Sequence, residues 1–219
     1  MGSIAIFKQL SYQTSLGWQI VYVCERVFAV VLLMLIAPAL AAAALAIFAL
    51  SGRAPFIAHR RVGWQGSILW VLKLRTMWDG ERPSARASRW VECIEDDAGP
   101  NLKSAADARV THRFARFCRR HSIDELPQLL HVARGEMALV GPRPLTAAEL
   151  DRHYGRAAEE ILQAKPGLAG LWQVSGRNRL TYQERRRLDL ALVRNRSARL
   201  YASILLRTLP EVWHGANTW

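Results

Sequence analysis

The chain has 219 residues, half of them hydrophobic at 51%, and a formal net charge of +12 with a pI near 10.6. That size leaves room for one domain of about 150 residues beside a membrane segment, and the charge implies an anionic partner without separating nucleic acid, lipid headgroups and phosphorylated substrates. The three cysteines, Cys24, Cys93 and Cys118, are scattered with no CxxC spacing, so neither a zinc site nor a disulfide framework is suggested.

Residues 27–50, VFAVVLLMLIAPALAAAALAIFAL, carry no charge over 24 positions. As one helix they would extend roughly 36 Å, enough to cross a hydrocarbon core of about 30 Å. Pro38 sits in the middle of the run. It removes a helical hydrogen bond and crowds the carbonyl four residues back, so a kink or break is expected near residue 37. Two readings stand side by side: a kinked crossing, and a re-entrant hairpin that returns to the side it left. Arg53, Arg60, Arg61, Lys73 and Arg75 follow with no acid through residue 78, which puts that flank in the cytoplasm. The run starts too late and is too long for a cleaved signal peptide.

Residues 56–78 read as short strands around a turn at Gly63 to Gly66. Residues 79–108, rich in charge and broken by Gly80, Pro83, Gly99 and Pro100, read as a polar excursion. A basic helix is expected over about 109–120, and LPQLLHVAR lies on a second one. Gly141, Pro142 and Pro144 then break the chain before AAELDRHYGRAAEEILQ resumes a helix. Pro166 to Arg177 is turn-rich, and 181–213 reads as largely helical. Its basic residues interleave with leucine, valine and alanine, so it suits either a bilayer surface, with Trp213 and Trp219 at the interface, or a solvated face packed on the domain.

The segment with most chemistry is HSIDELPQLL, residues 121–130. Ser122 with Glu125 forms a capping-box pattern; alternatively Asp124 is the N-cap and Pro127 falls at the third helical position, where its missing N–H costs nothing. Either register puts Asp124 and Glu125 at an electropositive helix start. Two arginines sit in restricted backbone: Arg143 between Pro142 and Pro144, and Arg177 in the turn SGRN. Together with the carboxylate pair they suggest a phosphate site.

KLRTM at 73–77, SIDELPQLL at 122–130, RGEMALVGPRPL at 134–145 and KPGLAGLWQVSGRN at 165–178 resemble, in order, the motifs of the monotopic phosphoglycosyl transferases, also called bacterial sugar transferases. The resemblance covers residues 25 to about 212. It implies a helix-rich α+β enzyme, membrane-monotopic, with an N-terminal helical hairpin broken at Pro38: an extension at 1–24, the re-entrant helix at 25–52 and a cytoplasmic catalytic domain with interfacial helices at 53–219. It places the protein on the cytoplasmic face of the bacterial inner membrane.

The implied reaction moves a sugar 1-phosphate from a UDP-sugar, a glucose or galactose derivative, onto undecaprenyl phosphate with release of UMP, the first membrane step of exopolysaccharide synthesis. In it Asp124 attacks the β-phosphorus and holds the sugar phosphate covalently. Mg²⁺ is the implied cofactor, with Asp124 and Glu125 as its protein ligands and Glu125 alternatively an acid/base partner. Arg119, Arg143 and Arg177 are assigned to substrate phosphates or the nucleotide. Lys73 and Arg75 join them, or serve as structural salt bridges or headgroup contacts. Membrane lipids are partners, and a homodimer stays open. Nucleic acid is not expected, because aromatic residues are not interleaved with the basic ones and no binding motif is present. The alternative within the family is a catalytically weak member that acts as an assembly scaffold. The chain departs from the family pattern at Ala37 for serine, Ala29 for aspartate, Ala115 for glycine, and Arg196 and Tyr201 for tryptophan and aspartate.

Overall fold

The computed structural model describes residues 15–78, 88–95, 110 and 112–214. The apolar run belongs to one helix, α1 (Leu16–Ser51), ended by Gly52, whose φ of 67° is the left-handed conformation that closes helices and whose N–H returns to the Phe48 carbonyl. Pro38 lies inside this helix, so the expected interruption is not a break in the helical segment. Packing accounts for that: Ile36 and Leu40, on either side of the proline, both pack into the protein's core clusters. The helix also starts nine residues before the expected boundary at 25. Glu25 and Arg26 look like the polar edge of the run in sequence, yet Trp18 and Glu25 are buried.

β1 (Phe56–Val62) and β2 (Ile68–Leu74) form the expected antiparallel hairpin, with Phe56 opposite Leu74 and Val62 opposite Ile68. The polar excursion contains a strand that was not anticipated, β3 (Val91–Ile94), which lies parallel to β1 and completes a sheet of order β2-β1-β3. Most of that excursion lies outside the described residues.

The basic helix is α2 (Arg113–Arg120), followed by a 3₁₀ segment (Ile123–Gln128) and α3 (Leu129–Arg134). β4 (Ala138–Val140) pairs in parallel with β5 (Gly167–Ala169), holding together the two turn-rich regions. Between them α4 (Ala147–Glu149) runs into a π turn (Leu150–Tyr154), and Gly155 separates it from α5 (Ala157–Ile161). α6 (Leu171–Val174), a 3₁₀ turn (Arg177–Arg179), α7 (Tyr182–Arg194) and α8 (Ala198–His214) complete a helix-rich α+β architecture. Trp219 lies outside the described residues.

One face of α1 is part of the core. Ala29, Leu32, Leu33 and Ile36 pack against Leu69, Val71, Leu129 and Val132. Further along, Leu40, Ala43, Ala44 and Ile47 pack against Leu74, Trp78 and Ala115. Ala29 is fully buried in this contact, so the aspartate common in the family would have to be desolvated there. The other face remains apolar and uncovered: Leu16, Met34 and Leu35 are 70–73% exposed. A helix hydrophobic on every side needs an apolar medium on the side its own fold does not cover.

Candidate active site

Ser122 adopts φ 54°, and its side chain makes no capping bond, so neither capping register is realised. The chain turns instead into the 3₁₀ segment, with Asp124 and Glu125 in its first turn. Asp124 is 6% exposed. Its carboxylate faces Cys118, whose thiol burial and the Asp124 charge push up to about 11. That thiol stays neutral at physiological pH and adds no rival nucleophile.

Glu125 accepts a hydrogen bond from Lys73 Nζ at 2.8 Å, an ion pair of two partly buried groups. The pair joins the end of β2 to the 3₁₀ segment. His131, which the sequence reading did not single out, reinforces the same junction. Its Nε2 accepts the Leu72 N–H at 3.1 Å, and its Nδ1 lies 2.6 Å from Glu136 Oε2. An imidazole that accepts at Nε2 carries its proton on Nδ1, so Nδ1 donates to Glu136. Only the spacing HVARGE, which puts Glu136 five residues after the histidine, could have signalled it.

Arg119, on α2, is 7% exposed, and its Nη2 is buried with no hydrogen-bond partner among the described residues. A buried guanidinium nitrogen without a partner is costly unless an anion arrives to satisfy it. Arg75 is different. It is ion-paired to Glu92 of β3, and its Nε donates to the Ala54 carbonyl at 2.7 Å. Its guanidinium therefore ties the sheet to the chain leaving α1.

A second cluster gathers around the loop after β4. A Cβ on Gly141 would collide with the Lys165 carbonyl, so glycine lets the two turn-rich segments touch. The Arg143 guanidinium lies 5.2 Å from the centre of the Trp172 ring, and Arg185 lies 5.0 Å from the same ring and 5.4 Å from Tyr182. Arg185 is buried, and its Nη2 donates to the Arg177 carbonyl at 3.3 Å. The structure thus links the two sequence-predicted arginines through one that sequence reading missed. Arg177 itself sits at φ 49°, an uncommon conformation outside glycine.

Beneath them lies Asp189, fully buried on α7, accepting the Tyr154 hydroxyl at 2.9 Å on one oxygen, while its Oδ1 is buried with no hydrogen-bond partner among the described residues. Burial pushes its carboxyl up to about 7, against the opposing effects of Tyr154 and Arg143. Glu149 accepts the Tyr182 hydroxyl at 3.2 Å nearby. A lone aspartate in a basic helix gives no sign in sequence that it supports a loop more than forty residues upstream.

A buried carboxylate, a buried guanidinium nitrogen without a partner among the described residues and a long helix with one apolar face exposed are the features for which the fold alone supplies no counterpart. Comparison with known proteins makes this specific. The bacterial sugar transferase family model matches residues 18–215. The exopolysaccharide production protein ExoY of Sinorhizobium fredii is 40% identical over 162 residues, covering 74% of this chain and 71% of the relative. A UDP-glucose:undecaprenyl-phosphate glucose-1-phosphate transferase of Caulobacter vibrioides is 39% identical over 206 residues, 90% of this chain and 71% of the relative. The UDP-galactose-lipid carrier transferase of Erwinia amylovora is 42% identical over 171 residues, 74% of this chain and only 34% of the longer relative. The chain belongs to the bacterial sugar transferase family, and its enzyme class is that of the phosphoglycosyl transferases.

Proposed function

We propose that this enzyme transfers a hexose 1-phosphate from UDP-glucose or UDP-galactose to undecaprenyl phosphate at the cytoplasmic face of the inner membrane. The observation that carries the reading is the buried Asp124, whose neighbour Glu125 is held by Lys73, within the family-matched region of the chain. The Asp124 carboxylate oxygen attacks the β-phosphorus. The new O–P bond forms as the bond to the bridging oxygen breaks, and UMP departs. An oxygen of undecaprenyl phosphate then attacks the same phosphorus and breaks the acyl phosphate bond, which regenerates the carboxylate and yields the lipid diphosphosugar.

Arg119, Arg143 and Arg177 hold phosphate oxygens or the nucleotide, with Arg185 and Asp189 supporting the loops that carry Arg143 and Arg177. Asp124 and Glu125 supply adjacent hard oxygen donors, a set that suits Mg²⁺ shared with substrate phosphates. Bound there, the cation would offset the repulsion between carboxylate and diphosphate.

We read α1 as a monotopic element rather than a crossing. Its packed stripe runs from Trp18 to Ile47 along one body, which supports both of its ends lying on the same side of the bilayer. A re-entrant course bent at Pro38 is part of this proposal.

UMP release from a panel of UDP-hexoses with undecaprenyl phosphate tests the reaction and fixes the sugar. Asp124→Asn should give no turnover and no phosphosugar-labelled enzyme while keeping the wild-type melting temperature. Turnover by that variant would remove Asp124 as nucleophile.

A further inference from the structure

A shallow cleft open to solvent lies beside the Gly141–Pro142 turn, lined also by Lys165, Arg196, Ser197 and Tyr201. Lys165 is only 8% exposed, and its ammonium makes no hydrogen bond or ion pair among the described residues. It rests instead on two rings, 4.5 Å from the centre of Tyr22 and 5.3 Å from that of Trp64. Aromatic faces attract an ammonium without accepting its hydrogen bonds in the ordinary way, so the three donors are left for solvent or a ligand.

Arg196 sits in the bend between α7 and α8, 3.9 Å over Trp18, and gives one N–H to the Tyr22 hydroxyl at 2.7 Å. Ser197 Oγ accepts the Leu200 N–H, which leaves its own proton available. Glu25, the nearby acid, is already hydrogen-bonded to the Leu139 N–H and the Tyr201 hydroxyl. Burial, with the charges of Arg26 and Arg196, holds Lys165 below the ordinary lysine value. Three cations therefore face one occupied carboxylate. On the adjoining turns of α1, Leu16, Ile20 and Val23 are 55–73% exposed.

We propose that this cleft is a lipid-phosphate subsite: Lys165 and Arg196 grip the phosphate of an amphiphile whose chain runs along the exposed face at the start of α1. Two sources share that chemistry, a polyprenyl phosphate monoester and a phospholipid headgroup diester. Assignment to the monoester acceptor rests on the reaction proposed above; the subsite itself does not. Two fixed cations match a dianionic monoester better than a monoanionic diester, so the monoester should bind more tightly.

The test titrates full-length protein in non-ionic detergent, without nucleotide sugar, with decyl phosphate, inorganic phosphate and phosphatidylglycerol vesicles. Because no turnover is involved, failure of the proposed reaction would leave the measurement intact. Decyl phosphate should bind more tightly than inorganic phosphate, and Lys165→Met and Arg196→Gln should each weaken it roughly tenfold while Lys165→Arg retains it. A preference for decyl phosphate over the vesicles supports the acceptor as source; equal binding, with the same dependence on both cations, supports the headgroup. Should Lys165→Met fail to fold, Arg196→Gln and Lys165→Arg carry the comparison. Affinity for every probe indifferent to charge at 165 and 196 would overturn the subsite.

Discussion

Asp124 and Glu125 are neighbours in sequence with different surroundings: one buried beside a neutral thiol, the other paired with Lys73. In the proposed reaction that asymmetry would give the two adjacent carboxylates different work. Arg143 and Arg177 are the next test at this scale. Alanine at either should cost about 2 to 4 kcal/mol of transition-state stabilisation, roughly thirty- to a thousandfold in kcat/KM. Lysine should rescue only partly, since it restores charge without the planar fork. Separate assays of phosphosugar-enzyme formation and of transfer to lipid locate each effect; normal rates in both half-reactions would make the two loops purely structural. Asp189 adds a pH signature. Its carboxyl is raised in the fold from an ordinary value of 3.8 to about 7, so the folded state favours the proton. The stability it contributes is complete below about pH 4, is lost as pH rises toward 7 and changes no further above that. Unfolding midpoints of wild type and Asp189→Asn, compared from pH 4.5 to 8, should diverge by that trend, and parallel curves would show that Asp189 does not titrate there. Asp124, Glu125 and the motif arginines were legible because each sits in a short segment of unusual composition. His131, Tyr154, Arg185 and Asp189 were not, because their partners lie on other elements.

At the scale of elements, the β1–β2 hairpin was legible from its turn and its strand-forming residues, and α2 from its basic run. The strands β4 and β5 have three residues each, too few for alternation to show, and β3 is set by pairing with β1 rather than by its own pattern. Local pattern also fails at Ser122, where a capping-box signature is overridden by a left-handed turn that delivers the carboxylates. The apolar run was evident from sequence, but its packed stripe was not, since both faces of α1 have the same composition and only the fold distinguishes them. The membrane disposition of α1 is measurable. In intact cells carrying a cysteine-free background, single cysteines at Ser15 and Arg53, at the two ends of the helix, should both be shielded from a membrane-impermeant thiol reagent added outside. Labelling of position 15 alone would establish a full crossing.

For the whole molecule, the membrane helix and the catalytic body form one core. Ala29 and Ile47 of α1 are fully buried, in clusters that also contain β2 and residues of α2 and α3. The same helix turns Met34 and Leu35 outward. Fold stability and membrane affinity should therefore separate by face, even though the residues involved are equally apolar. Ile47→Ala removes a fully buried side chain and should lower unfolding free energy in detergent by about 2 to 5 kcal/mol, with activity falling in step with the folded fraction. Leu35→Ala removes three exposed carbons. It should leave the detergent melt unchanged and weaken partition into vesicles by about 2 kcal/mol, at roughly 0.8 kcal/mol per methylene withdrawn from lipid. Circular-dichroism melts paired with vesicle sedimentation measure both quantities on the same preparations. If Leu35→Ala lowered the melt as much as Ile47→Ala, the exposed face would be packed against protein in the working enzyme, and a second copy of the chain rather than lipid would have to cover it.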